Sequence, residues 1–327
     1  MPDGARVGTV GCMSENIIDT VIVGGGAAGL TAAQVLGRAR RSVVVLDAGS
    51  PRNAPAAHMH GYLGHDGLNP AELLRIGRDE AQAYGVRILS GAATGVRRDG
   101  DLIEVTAGDE MLRARTLLVA TGLRDELPSI DGVAERFGRD AIHCPFCHGY
   151  EVRDRPLAVL GGDNAAMSVH QALLFPQWSR DLIFFTNGLD IDTADREKIE
   201  ARGVRIVDGK VDGLDVADDR LRAVLLADGT EIAREAVFVG PRFVPQDELL
   251  LGLGAERGEN GFVPVDPMGR ALPGVWAAGN VVNPMAQVIV AAGAGSVAAA
   301  AISAHLLERD IDAELARARG ERASLAP

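Results

Sequence analysis

The chain has 327 residues, above the roughly 250–300 at which one hydrophobic core stops growing, so two domains are expected. Apolar residues at 47% and charged residues at 24% exclude a disordered or fibrous chain, and 45 acidic against 33 basic residues, a net charge of -12, argues against nucleic acid or an anionic membrane as partner. Glycine is abundant, at 40 residues without a collagen-like period, which points to tight turns where backbone meets a ligand.

The opening stretch, read as a flexible tail over residues 1–18, is polar, contains Cys12 and has neither a basic n-region nor an apolar h-region, so a cytoplasmic protein is expected. A β-branched run, Thr20-Val21-Ile22-Val23, then leads into Gly24-Gly25-Gly26-Ala27-Ala28-Gly29 and a helix-like segment from Leu30 to Leu36. A second apolar run, Ser42 to Leu46, stops at Asp47. This is a βαβ unit with Gly24, Gly26 and Gly29 in G-x-G-x-x-G spacing. The first glycine makes the turn, the second admits a pyrophosphate and the third lets helix pack on strand. Asp47 would accept from ribose hydroxyls, which favours FAD or NAD over NADP.

Arg87 to Leu89 and Leu102 to Val105 look like strands, and Leu117 to Gly122 like a buried strand closing on a glycine turn. A polar, proline-containing connection over residues 124–140 precedes His143-Cys144-Pro145-Phe146-Cys147-His148. A second α/β pattern follows: a strand at Leu157 to Leu160, a helix near Ala165 to Phe175, a strand at Leu182 to Phe185 and short strands up to Ala236 to Gly240. Gly274-Val275-Trp276-Ala277-Ala278-Gly279-Asn280 then leads to residues 288–307, which contain no Asp, Glu, Lys or Arg and read as a buried helix rather than a membrane span. The fold class is therefore α/β with two dinucleotide-binding, Rossmann-like domains, the second inserted in the first. Residues 19–123 and 244–310 form the first domain, 124–243 the inserted one, and 311–327 a C-terminal tail.

The Cys-x-x-Cys-His run permits four readings. Covalent haem attachment needs an exported chain and leaves the glycine motif unexplained. A zinc site needs four ligands, and no second cysteine pair completes the usual pattern, so no metal site is assigned. A redox pair needs two sulfurs at this spacing and one acidified thiol. Two buried structural thiols are the fourth possibility.

With the Gly24 loop, Val119-Ala120-Thr121-Gly122, Cys144-Pro145-Phe146-Cys147 and the Gly274 to Asn280 segment taken together, the chain resembles low-molecular-weight thioredoxin reductases from about Asp19 to Leu306. The resemblance implies a homodimeric FAD protein with the flavin between the Gly24 loop and Asn280 and a redox disulfide beside it. It implies a flavin-facing role for Cys147 and an exchange role for Cys144. It also implies that Asn280 meets the ribityl chain where the family usually has Asp, that Gln287 lies near the ring, and that Arg52 and Asn53 lie near the flavin.

Two departures from the reductase pattern alter the expected activity. The second glycine motif reads Leu160-Gly161-Gly162-Asp163-Asn164-Ala165, which loses a glycine in either frame, and residues 181–195 contain no Lys or Arg where an NADPH 2′-phosphate would need them. NADH stays possible, since Asp190 could reach ribose hydroxyls. His148 stands where reductases carry an acid. Cys-x-x-Cys-His-Gly-Tyr-Glu resembles the dithiol oxidases of gliotoxin and holomycin type, which implies closure of a small-molecule dithiol into a disulfide with electrons passing through FAD to O₂ and release of H₂O₂. An imidazole suits that chemistry, because a thiol of pKa roughly 8.5 is best deprotonated near pH 7 by a base of pKa near 7. The alternative is a disulfide reductase fed by NAD(P)H or a protein donor.

Overall fold

The computed structural model describes residues 17–324. Cys12 and most of the expected N-terminal tail lie outside the described residues.

The first unit opens with β1 (Ile18–Val23), α1 (Ala27–Arg38), β2 (Val43–Asp47), α2 (Pro70–Ala83) and β3 (Arg87–Ser90). It continues through β4 (Gly95–Asp99), β5 (Leu102–Ala107) and β6 (Glu110–Val119). β1 pairs in parallel with β2 on one side and β6 on the other, and β3 extends the sheet beyond β2. Val21, Ile22, Val45, Leu117 and Leu118 are all fully buried, as expected of parallel strands covered on both faces. The β4–β5–β6 meander is antiparallel.

β7 (Leu123–Glu126) carries the chain out of this sheet. The inserted unit comprises α3 (Val133–Arg136), β8 (Ala141–Ile142), α4 (Pro145–His148), β9 (Leu157–Leu160), α5 (Ala165–Leu174) and β10 (Leu182–Phe185). Then come α6 (Thr193–Ala201), β11 (Arg205–Val207), β12 (Val211–Ala217), β13 (Arg220–Leu226), β14 (Glu231–Ala233) and β15 (Ala236–Phe238). Its five-stranded sheet runs β11-β10-β9-β15-β8, with the three-stranded β12–β14 sheet beside it. β16 (Arg242–Pro245) returns antiparallel to β7, so a two-stranded ribbon joins the units. After α7 (Glu248–Gly252), β17 (Arg270–Leu272) and β18 (Val275–Ala277) complete the first sheet, and the long α8 (Val288–Ser324) packs on it.

Several elements differ from the sequence reading. α2 and α6 were not expected: they bury only Pro70, Leu74 and Ala81, and only Ile199, respectively, too thin an apolar edge to stand out. The polar connection at 124–140 holds most of β7 and all of α3. α8 runs on to Ser324, through the stretch expected to be a tail from residue 311, because its Ala-, Glu- and Arg-rich sequence favours helix. It is also not simply a buried helix. Gly295, Ala298, Ala299, Ile302 and Leu306 lie on the core side, whereas Val290, Val297, Leu307, Ile311 and Leu315 are exposed. α8 is long and apolar enough to cross a membrane, and a third of its apolar window is buried inside the structure.

Candidate active site

One elongated cavity of about 750 Å³ runs along the first unit, from Asp47 past the glycine turn to the cysteine pair. Gly24, Gly26, Ala28 and Asp47 line its far end. Gly24 has φ +111° and a Cβ there would sit 2.2 Å from the Ala120 carbonyl oxygen, so only glycine makes this turn. At Gly26 a Cβ would meet nothing within 4 Å, which leaves the turn open to the cavity. No side chain caps the N-terminus of α1, so its first N–H groups are available to an anion. Gly29 does not line the cavity; a Cβ there would lie 1.9 Å from the Gly24 carbonyl oxygen, so its smallness packs α1 against the turn. Asp47 accepts from Arg78 at 2.8 Å and from the Gly49 N–H at 2.9 Å, which fixes its carboxylate at the mouth.

Thr121 and Gly122 line the middle of the cavity at the start of the ribbon. The Thr121 hydroxyl donates to the Gln246 carbonyl, and the Gln246 side chain donates back to the Thr121 carbonyl at 2.8 Å, tying the outgoing chain to the returning one. Gly279 (φ +80°) approaches α1 closely: a Cβ there would lie 3.1 Å from that of Ala28. Asn280 donates through Nδ2 to the carbonyls of Asn283 and Ala286. Asp could not make these bonds. They pin the turn that delivers Gln287, the residue before α8, to the cavity wall.

The cysteines bracket a single helical turn. Cys144 is the residue before α4 and Cys147 lies within it, and their sulfurs are 2.9 Å apart as free thiols. Asn53 and Arg52 line the cavity nearby. Arg52, however, is committed: its guanidinium donates to both oxygens of Asp125 at 2.7 Å and lies over the Phe243 ring, 5.1 Å from the centroid. It thereby clamps the 52–53 loop to both ribbon strands, a role the sequence did not suggest.

The titration behaviour follows from these contacts. The Cys144 thiol is lowered to about 7 by the Cys147 hydrogen bond first, then by the backbone N–H groups of Cys147 and Phe146 and the Arg52 charge, against the opposing effect of burial. Cys147 is pushed up by its bond to Cys144 and by burial. His148 lies below the usual histidine range, chiefly through burial, with Glu151 pulling it back up and His60 pushing it down. Its Nδ1 is buried without a hydrogen-bond partner among the described residues. His143 is driven down to about 4 by burial, and more by Arg52; it packs edge-on to Phe243, so at neutral pH it is an uncharged structural ring.

The family model for pyridine nucleotide-disulphide oxidoreductases matches residues 18–295, which spans both units and the cysteine pair. The chain belongs to this family. Among its relatives, thioredoxin reductase tcpT of Claviceps purpurea is 31% identical over 313 residues (90% of this chain, 96% of that one), and thioredoxin reductase sirT of Leptosphaeria maculans is 30% identical over 318 residues (91% and 97%). Among solved structures, HlmI superposes with a TM-score of 0.91 at 47% identity over 95% of this chain and 98% of that one. A thioredoxin reductase TrxB from Bacillus anthracis gives 0.85 at 30% identity, over 89% and 99%. The chain is thus a thioredoxin reductase-like, FAD-binding oxidoreductase acting on thiols and disulfides. The long cavity, the uncapped start of α1 and the open face at Gly26 fit that cofactor.

In this oxidoreductase the second glycine motif is built differently from the first. The N–H of Gly162 is bonded to Ser168 Oγ at 3.1 Å, and the start of α5 is capped by Asn164, whose Oδ1 accepts from the Met167 N–H at 3.0 Å. A Cβ on Gly161 would lie 2.2 Å from the Thr186 carbonyl oxygen, so this glycine serves strand packing. Asp192 caps α6, and the following cations are paired, Arg196 with Asp208 and Lys198 with Asp195.

Sequence reasoning missed His60, Gln246 and Glu151, all chemically capable and all close to the cavity. His60 and Gln246 line it, and Glu151 pairs with His60. Glu151 closes the Cys-x-x-Cys-His-Gly-Tyr-Glu run, whose spacing alone assigns it no role, and nothing in the pattern marks His60.

Proposed function

We propose that this flavoprotein is a dithiol oxidase, closing a small-molecule dithiol into a disulfide, with Cys144, Cys147 and His148 at the reacting end and O₂ as the final acceptor. The carrying observation is the start of α5 in the inserted unit, where Ser168 Oγ takes the Gly162 N–H and Asn164 caps the helix through the Met167 N–H, in contrast to the uncapped start of α1. When bound, FAD would supply a two-electron acceptor for the enzyme dithiol and a donor to O₂, giving H₂O₂.

The chain's own residues account for the rest. His148, held below the usual histidine range and therefore unprotonated at pH 7, accepts the proton of an incoming thiol. The resulting thiolate attacks Cys144 of the oxidised pair, giving a mixed disulfide and releasing Cys147. The second substrate thiol then attacks the substrate sulfur of that bond and expels Cys144. A thiol lowered to about 7 is a good leaving group, so the hydrogen bonds to Cys144 favour product closure. Gly24, Gly26, Ala28, Gly29, Asp47, Asn53, Thr121, Gly122, Gly279, Asn280 and Gln287 are proposed to form or support the cofactor bed. Arg52 contributes charge near the thiols, and a second copy of the chain is the proposed partner.

Anaerobic mixing with dithiothreitol should bleach the flavin band, and mixing with NADPH should leave it unchanged; readmitted air should restore the band and release H₂O₂. Rapid bleaching by NADPH would support the second reading, a disulfide reductase, which the names of the tcpT and sirT proteins favour.

A further inference from the structure

We propose that Arg78 is a cofactor-binding residue whose guanidinium grips the adenosine end of FAD directly, in addition to pairing with Asp47. The inference rests on the proposed placement of that adenosine at the Asp47 end of the cavity. It holds for either reading of the electron donor, because the thiols lie at the other end.

The fold delivers Arg78 to that place. It lies on α2 one turn beyond Leu74, and both residues line the cavity, so they share the face that the helix turns towards it. Gly77 seats α2 against α1, since a Cβ there would lie 3.3 Å from Leu30 Cδ1. The other charged side chains of α2 are engaged away from the cavity. Arg75 pairs with Glu72 and Asp79, and Glu80 accepts from Gln34 at 2.9 Å. Arg78 is the one charged residue of α2 on the cavity wall.

Its chemistry suits the ligand. Nη2 donates to Asp47 Oδ2 at 2.8 Å, and the remaining N–H donors of the guanidinium have no partner among the described residues. The Arg78 side chain is 33% exposed against 15% for Asp47, so the cation stays open where the carboxylate is largely covered. Asp47 itself lies over the glycine turn: a Cβ on Gly25 would sit 2.3 Å from its Oδ2, which is why the residue between Gly24 and Gly26 is also glycine. A nucleoside that covers this carboxylate strips its water, and a paired guanidinium offsets that loss. A planar cation also stacks on aromatic rings and donates to ring nitrogens and hydroxyl oxygens, the groups that an adenosine presents.

The test measures FAD release from holoprotein prepared with excess FAD, diluted and followed as free flavin in the ultrafiltrate. Release should be about tenfold faster in Arg78→Ala than in wild type, the effect of losing one charge-assisted contact. Arg78→Lys, which keeps the charge but not the planar fork, should fall between the two. Arg75→Ala, on the exposed side of the same helix, should release FAD as slowly as wild type, which separates loss of a contact from loosening of α2. Arg78→Ala should still speed release when added to Asp47→Ala, which separates direct contact from support of the carboxylate. Unchanged release in Arg78→Ala, no further effect in the Asp47→Ala background, or an equal effect of Arg75→Ala would overturn the assignment of Arg78. Release from Asp47→Ala no faster than from wild type would instead overturn the placement of the adenosine on which it rests.

Discussion

Cys144 and Cys147 differ only by three positions in the chain, yet their surroundings separate them. Cys144 collects a sulfur donor, two backbone N–H groups and the field of Arg52, while Cys147 is left as the donor. In the reduced enzyme, alkylation of Cys144 by iodoacetamide should therefore rise with pH around a midpoint of about 7. Arg52→Gln should move that midpoint up by about half a unit as the positive charge is lost. A midpoint at the ordinary cysteine value in wild type would contradict this account of the pair. Cys144→Ser should retain the flavin and lose dithiol-dependent H₂O₂ release, read as an absence of peroxide over the uncatalysed background. The cysteines and His148 were legible in the sequence because their chemistry is carried by adjacent positions. For Arg52 the sequence offered only the expectation of a place near the flavin. Its pairing with Asp125, 73 residues away in sequence, depends on how the loop meets the ribbon.

At the scale of elements, the contrast lies between two strand–turn–helix units that begin alike and end differently. In the first, α1 starts uncapped behind a turn that only glycine can make. Gly24→Ala should be destabilising by about 2–3 kcal/mol or more, from the strained φ and the contact with Ala120. It should also yield protein purified with little flavin, measured as the ratio of flavin to protein absorbance. In the second, α5 starts with its own cap. Asn164→Ala should cost about 1 kcal/mol in thermal unfolding and leave the enzyme unresponsive to NADPH, since Ser168 still holds the Gly162 N–H. Bleaching by NADPH in this variant would indicate that the cap alone closes the site. The degenerate glycine pattern was visible in the sequence. That a serine one turn into the helix fills the vacated bond was not, because Ser168 in isolation is an ordinary helix residue.

For the whole molecule, α8 presents two apolar faces. One packs against α1, where a Cβ on Gly295 would lie 2.0 Å from the Ala28 carbonyl oxygen. The other carries Val290, Val297, Leu307, Ile311 and Leu315 at helical spacings along one side, each exposed in the single chain. A stripe of this kind is suited to a second copy. The wild type should sediment as a dimer and Val297→Glu with Leu307→Glu as a monomer; a monomeric wild type would remove the dimer from the proposal.

The order of units, the parallel strands, the dinucleotide turn and the sulfur pair were all determined by the sequence alone, because each depends on residues close together in the chain: β-branched runs, glycines at fixed spacing, two cysteines on one turn. The tertiary structure decided what lies between distant segments. It bonded Arg52 to Asp125, set His60 against Glu151, filled the Gly162 bond with Ser168 and left one side of α8 bare. These outcomes follow from how separately folded surfaces dock, and a pairing made across two units carries no periodicity along the chain from which it could be read.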